Sequence, residues 1–279
     1  MVKNFSKGNE RAYSLLQAFQ SVCHRYSVPD VDFLVSLHDA LDTEYEVPLF
    51  VMAKNIHKTQ QILIPDFESV RGKYQVLKRR DITQNILPTW EEKKAQLIWR
   101  GTSAQTPSKH LPTILGDSRC FSRVKLCELS HQFPHFIDAK ITRFVDGWKK
   151  LRGLEHVKGN FLPYEEMIKF KYQMLIDGYT CSYTHSGWRW FTGCLIFKEE
   201  SENVQWYYSA LRPYEHFIPV KAGLEDLVDR IEWARSHDAE AKEIAAHGRK
   251  FALENLTQDK DLIYLYHVFL AYSKLAFVD

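Results

Sequence analysis

The sequence predicts an α/β fold with a largely parallel sheet, closed at its C-terminal end by helices. Three observations carry that prediction. Short apolar runs alternate with amphipathic segments as far as Val220, the order in which strands and crossover helices build a parallel sheet. From Leu224 onward apolar residues recur every three to four positions with no strand-like run between them. The 279 residues are 45% hydrophobic and 26% charged, a globular balance that leaves room for one large or two modest domains.

Taken in chain order, residues 9–25 set Ala12, Leu15, Leu16, Phe19, Val22 and Cys23 at helical spacing, so an amphipathic helix is expected to pack on a sheet. After Pro29, VDFLVSLHD alternates Val31, Phe33, Val35 and Leu37 with Asp32, Leu34, Ser36 and His38, and VPLFVMAK follows as a second apolar run. Pro65, Pro88 and Pro107 punctuate a polar middle. EEKKAQ then leads into LIWRG, a strand of three apolar residues that stops at Arg100 and Gly101. A helix is expected around 117–130, a strand near 137–144, a helix over YEEMIKFKYQML, and strands at GCLIFK and HFIPV. The last helices are LEDLVDRIEWARSH, DAEAKEIAAHGRKFALENL and DKDLIYLYHVFLAYSKL, with Gly223, Gly248 and Thr257 near their borders.

Lys and Arg total 37 against 35 Asp and Glu, and this net charge of +2 gives no electrostatic case for a nucleic-acid or anionic-membrane partner. No segment approaches the ~18 uninterrupted apolar residues of a membrane span. The opening MVKNFSKGNERAYSLLQAFQ lacks an apolar stretch of the signal-peptide kind, so the expected location is the cytoplasm. Cys23, Cys120, Cys127, Cys181 and Cys194 are odd in number and form no CxxC pair, which fits reduced thiols.

The chain carries no GxGxxG, GxxxxGK[ST], GxSxG or HExxH, which argues against dinucleotide redox chemistry, P-loop hydrolysis, serine hydrolysis and zinc peptidase activity. Three segments remain. SLHDALD puts Asp39 just after a predicted strand, at the end of an α/β sheet where ligands collect, and a carboxylate there can take the proton of an attacking hydroxyl. The same position suits a helix N-cap or a turn, and Asp42 is a second candidate on the loop. IWRGTS ends a strand with a forked cation, a glycine that admits close backbone approach, and two hydroxyls, together suited to a diphosphate. Its alternative is an Arg100 paired with a structural carboxylate. The hydroxyl-rich turn in KFKYQMLIDGYTCSYTHSGWRW offers sugar and base contacts, although Trp188 and Trp190 equally suit a core. Asp30 and Asp32 spell DxD, a pattern that can hold a metal, but alternate strand residues face opposite ways. The twelve histidines show no ligand spacing.

Together these segments resemble glycosyltransferase family 90, the group of capsule-associated and lipopolysaccharide-modifying transferases and the animal protein O-glucosyltransferases. The resemblance is firmest from about residue 88, through WEEKKAQLIWRGTS, YEEMIKFKYQMLIDG, LRPYEHFIPV and the terminal helices, and looser over SLHDALDTEYEVPLFVMAK. It implies a GT-B-type fold: two Rossmann-like lobes with a crevice between them and C-terminal helices. Residues 1–95 would form the acceptor-side lobe, with helix 258–279 crossing back to it, and residues 96–257 the lobe that binds nucleotide-sugar. It further implies an inverting, metal-independent transfer of glucose or xylose from a UDP-sugar to a hydroxyl on a glycan, lipopolysaccharide or protein. No cofactor, nucleic acid or integral membrane segment is implied. Asp39 matches the acceptor-activating carboxylate. The implied UDP-sugar site comprises Arg100, Gly101, Thr102, Ser103, Arg119, Lys171, Gly178, Ser182, Thr184 and His216, with Asp177, Pro213, Pro219 and Val220 also at matching positions. Thr184 and Ser103 stand where animal relatives carry arginines, and Gln205 replaces an acidic residue ahead of Trp206 and Tyr207. The missing cation falls to Arg189, or to Arg119 and Arg123. These departures keep two alternatives open: a degenerate binding protein of the same fold, and a metal-dependent transferase using Asp30 and Asp32.

Overall fold

A computed structural model describes residues 10–39, 46–75, 86–105, 121–145 and 155–275, without the side chains of Thr184 and His185. The first helix, α1 (Glu10–Arg25), buries Ala12, Leu15, Ala18 and Val22 at three- and four-residue spacing and carries His24 and Arg25 in its last turn, where they complement the helix dipole. It lies beside a small parallel sheet, in the order β1 (Leu34–Val35), β2 (Leu49–Val51), β4 (Gln61–Leu63). All three residues of β2 are buried, as befits the middle strand of a parallel sheet. Between β2 and β4, β3 (Lys54–Asn55) pairs antiparallel with the distant β9 (Asn203–Val204).

The larger sheet has five parallel strands: β5 (Lys94–Thr102), β6 (Ile137–Arg143), β7 (Phe170–Leu175), β8 (Leu195–Glu199) and β10 (Ile218–Val220). Their order is β10-β8-β7-β5-β6. Helix α2 (Ser122–Gln132) connects β5 to β6, while β7 lies on the other side of β5. The order therefore reverses at β5, and a crevice opens outside the carboxyl ends of β5 and β7.

The segment YEEMIKFKYQML corrects the sequence reading. Only one turn, α3 (Tyr164–Met167), is helical, and Phe170–Leu175 is a buried strand. Its polar residues imitate a helical period because they find partners inside: Lys171 Nζ donates to Asp238 at 2.7 Å and Gln173 Nε2 to the Met167 carbonyl at 2.6 Å. Strand β5 likewise begins before LIWRG, since the buried Gln96 donates to the Pro134 carbonyl at 2.6 Å. The turn after β7 is also helical, in α4 (Tyr183–Gly187) and a 3-10 segment Trp188–Thr192 that stops at Gly193 with φ +64°.

Three helices close the chain: α5 (Leu227–Ser236), α6 (Asp238–Asn255) and α7 (Gln258–Tyr272). Leu227, Ile231, Ala241 and Ile244 from the first two share a core with the large sheet. Thr257 caps α7, whose Leu262, Leu265 and Phe269 pack with Leu15, Val22 and Phe50 of the N-terminal layer. Among the described residues no helix is long and apolar enough to cross a membrane. Cys23, Cys127, Cys181 and Cys194 are free thiols.

Candidate functional site

The carboxyl ends of β5 and β7 meet at a cleft lined by Arg100, Gly101, Thr102, Arg123, Leu175, Ile176, Ser182 and Arg189. A second cavity of ≈ 330 Å³ shares Arg100, Gly101 and Thr102 and continues past Arg143, Phe161 and Tyr164. That volume lies in the range of small-molecule sites.

Arg123, in the first turn of α2, ties the cleft together. Its Nε donates to the Asp177 carbonyl at 2.8 Å and its Nη1 to the Thr102 carbonyl at 3.0 Å. Its Nη2 reaches Ser182 Oγ at 3.0 Å and the Ile176 carbonyl at 3.4 Å. Gly178 leaves room for this side chain, since a Cβ there would lie 3.1 Å from Nη2 and 3.3 Å from the Ala104 carbonyl. Burial pushes the Arg123 guanidinium down to about 10, against the opposing charges of Asp177 and Glu199, so it stays a cation at neutral pH. Gly101 is fixed differently: its Cβ position is occupied by the Trp99 ring, 2.4 Å away.

Arg100 is held by another strand. Its Nη2 lies 2.9–3.0 Å from the Asp138 carboxylate, and its Nη1 donates to the Asp138 and Trp99 carbonyls at 2.9 Å. Asp138 sits opposite Ile98 in the ladder, so the guanidinium runs back along the sheet. Ser103 Oγ accepts the Val145 N–H at 2.9 Å and is fully buried. At the end of β8, Glu199 accepts from Ser122 Oγ at 2.6 Å and from the Gly223 N–H at 3.1 Å. Burial pushes its carboxyl up to about 7.

Asp39 follows β1 and pairs with Arg11 at 2.7 Å, while Arg11 also donates to the Leu37 carbonyl at 2.8 Å and lies over the Phe67 ring. The Tyr183 hydroxyl donates to the Asp39 carbonyl at 3.4 Å, which brings the N-terminal loop against α4, one residue from Ser182.

Among the sequence-predicted residues, the structure gathers Arg100, Gly101, Thr102, Gly178 and Ser182 at one end of the sheet, with Ser103 beneath it. It does not bring Lys171 or His216 there. Lys171 is the second residue of β7, paired with Asp238 and lying over the Trp90 ring. His216 precedes β10, accepts the Arg212 N–H at 3.0 Å, and packs on Phe251. Both sit at the amino ends of parallel strands, opposite the crevice. Arg119, Asp42 and the Thr184 side chain lie outside the described residues. Trp188 and Trp190 are fully buried core residues. Asp30 and Asp32 are exposed, and no group of three or more His, Cys, Asp or Glu is set to hold a metal among the described residues. The sequence reading named Arg123 and Arg189 only as alternatives and missed Arg11 and Tyr183 altogether. Their roles depend on helix placement rather than on any local motif.

A family model described as glycosyl transferase family 90 matches residues 9–279. Protein O-glucosyltransferase 3 of Mus musculus is 25% identical over 268 residues, covering 91% of this chain and 49% of the relative. Protein O-glucosyltransferase 2 of Danio rerio is 27% identical over 269 residues, again covering 91% and 49%. This chain thus spans about half the length of these relatives. A crystal structure of Anabaena Alr3699/HepE in complex with UDP and glucose aligns at 12% identity over 78% of this chain and 58% of that one, with a TM-score of 0.45.

Proposed function

Because the chain belongs to glycosyl transferase family 90, we propose that it is an inverting glycosyltransferase moving glucose, or the related pentose xylose, from a UDP-sugar to a hydroxyl acceptor. The observation that carries this reading is the cationic cleft at the carboxyl ends of β5 and β7, where Arg123 binds Thr102, Asp177 and Ser182 at once. The name of the O-glucosyltransferase relatives supports glucose as the sugar. The acceptor is a glycan, a lipopolysaccharide or a protein.

In this reading the architecture is of the GT-B type. The small sheet with α1 and α7 forms the acceptor lobe, residues 1–95 and 258–279, and residues 96–257 form the donor lobe. The UDP diphosphate meets the Gly101–Thr102 edge and Ser182, and Arg100 exchanges Asp138 for phosphate. Asp39 takes the acceptor proton as the hydroxyl oxygen bonds to the anomeric carbon, and the carbon–oxygen bond to UDP breaks on the opposite face. Fixed cations stabilise the departing diphosphate in place of a metal. Buried free thiols at Cys127, Cys181 and Cys194 support a reducing, cytoplasmic setting.

One observation favours the second reading, a binding protein without turnover: Arg100 and Asp39 are each paired with an internal partner. The test is UDP release from UDP-glucose before and after exhaustive chelation. Slow, chelation-resistant release is expected. Binding of UDP without release would support the second reading, and a loss restored by Mn²⁺ would move the chemistry to a metal-dependent route through Asp30 and Asp32.

A further inference from the structure

Among the described residues, one buried cation of the cleft has no ion-pair partner. Arg189 lies in the 3-10 segment after α4 and is 2% exposed. Its guanidinium lies over the Trp188 ring, with the carbon 4.7 Å from the centroid. Among the described residues no carboxylate forms an ion pair with it, and its Nε is buried without a hydrogen-bond partner. The groups that act on it electrostatically are the Tyr164 hydroxyl, Arg123 and the Cys194 thiol, and the one permanent charge among these three is another cation. Arg123 itself spends its donors on backbone carbonyls and the Ser182 hydroxyl, none of them anionic. Arg100 is the contrast, since Asp138 neutralises it.

A buried charge is costly unless it is paired, and Arg189 also feels the like charge of Arg123 across the same cleft. Neutral sugars and nucleobases offer hydrogen bonds but no charge to offset them. A dianionic group does, and a diphosphate carries its charges on two phosphorus centres, so it can engage both of these guanidiniums lining the cleft.

We propose that Arg189 is the cation that neutralises the second phosphate of the bound nucleotide, so that Arg123 and Arg189 together select a nucleoside diphosphate over a monophosphate. This rests on the donor-site reading above and adds to it the residue that sets phosphate number. It also accounts for the neutral Ser103: the charge comes from the floor of the cleft, five residues beyond Thr184, instead of from the strand end.

The experiment is calorimetric titration of the full chain with UDP, UMP and inorganic pyrophosphate, for the parent, Arg189→Met and Arg189→Gln. The parent should prefer UDP to UMP. Either variant should lose about 30-fold or more in UDP affinity, the usual result of truncating one partner of a desolvated charge pair, while UMP affinity changes by less than about threefold. Without ligand, Arg189→Met should melt at or above the parent temperature, because an unneutralised buried charge has been removed. A folded variant that keeps the UDP-to-UMP ratio overturns the proposal and leaves the donor-site reading standing. A variant that melts several degrees lower and loses UDP and UMP in equal measure overturns it too, since Arg189 is then structural. A parent that binds pyrophosphate but neither nucleotide overturns the proposal together with the UDP reading. A parent that binds none of the three overturns both.

Discussion

Arg123→Met should unfold the donor end of the large sheet more readily than any nearby substitution. The methionine keeps the stem of the side chain but removes every guanidinium donor. Two carbonyls bonded at 2.8 and 3.0 Å, those of Asp177 and Thr102, lose the donor that reached them, and the weaker contact to Ile176 at 3.4 Å goes with them. Ser182 Oγ is less affected, because it also donates to the Ile176 carbonyl at 3.2 Å. Each acceptor left unsatisfied costs about 1–3 kcal/mol, so the gross loss is about 2–6 kcal/mol. Part is recovered, because the variant no longer desolvates a guanidinium. A net cost of about 2–4 kcal/mol remains, and at roughly 2–4 °C per kcal/mol for a chain of this size the melting temperature should fall by about 4–16 °C. Differential scanning calorimetry of the ligand-free protein reads this directly. A midpoint within about 1 °C of the parent would show that Arg123 does not hold the ends of β5 and β7 together. The contrast with Arg189→Met, a like charge removed from the same cleft without a loss of stability, separates a hydrogen-bonded cation from an unpartnered one.

Asp39→Asn should lower turnover by about 10²- to 10⁴-fold, with UDP affinity nearly unchanged, because only proton-accepting power is lost. The assay compares it with Asp42→Asn on a working acceptor; an active Asp39→Asn protein rules out Asp39 as the base, and loss in Asp42→Asn alone moves the role along the loop. Glu199 supplies a pH dependence of stability. Its folded carboxyl titrates at about 7, against an ordinary value of 4.5. Below about pH 4.5 both states hold the proton, between there and about 7 only the folded state does, and above 7 the cost of burying the charge is borne in full. Stability should therefore fall as pH rises through that window, by at most about 1.4 kcal/mol per pH unit. Glu199→Gln, which still accepts from Ser122 and Gly223, should flatten this part of the curve; an unchanged slope in urea titrations from pH 4.5 to 7.5 would assign the dependence elsewhere.

The order of elements was legible because most strands and helices here obey one local rule each. Alternation through Val31, Phe33 and Val35 is visible in their burial, and the Leu15, Ala18 and Val22 stripe of α1 meets the core as its spacing requires. Strand β7 broke the rule. Its Lys171 and Gln173 are buried with partners from Asp238 and Met167, contacts that no local window contains. The site divides in the same way. Arg100, Gly101 and Thr102 are contiguous and end a strand, so a short motif finds them. The resemblance places Lys171 and His216 in the expected donor site, yet strand polarity puts them at the far end of the sheet. Arg123 and Arg189 reach the cleft from a helix and a 3-10 turn, separated by 54 and 66 residues from Asp177 and Arg123 respectively in ways that only folding reconciles. Tyr183 bridges 144 residues to Asp39.

The central claim is that a UDP-sugar donor lies at the carboxyl ends of β5 and β7. Diffraction from crystals soaked with UDP tests it most directly. The diphosphate is predicted within hydrogen-bonding reach of Thr102, Ser182 and the Arg123–Arg189 pair. UDP bound instead in the separate groove of Trp90, Lys242 and Lys250, in a protein that turns over UDP-glucose, would contradict it.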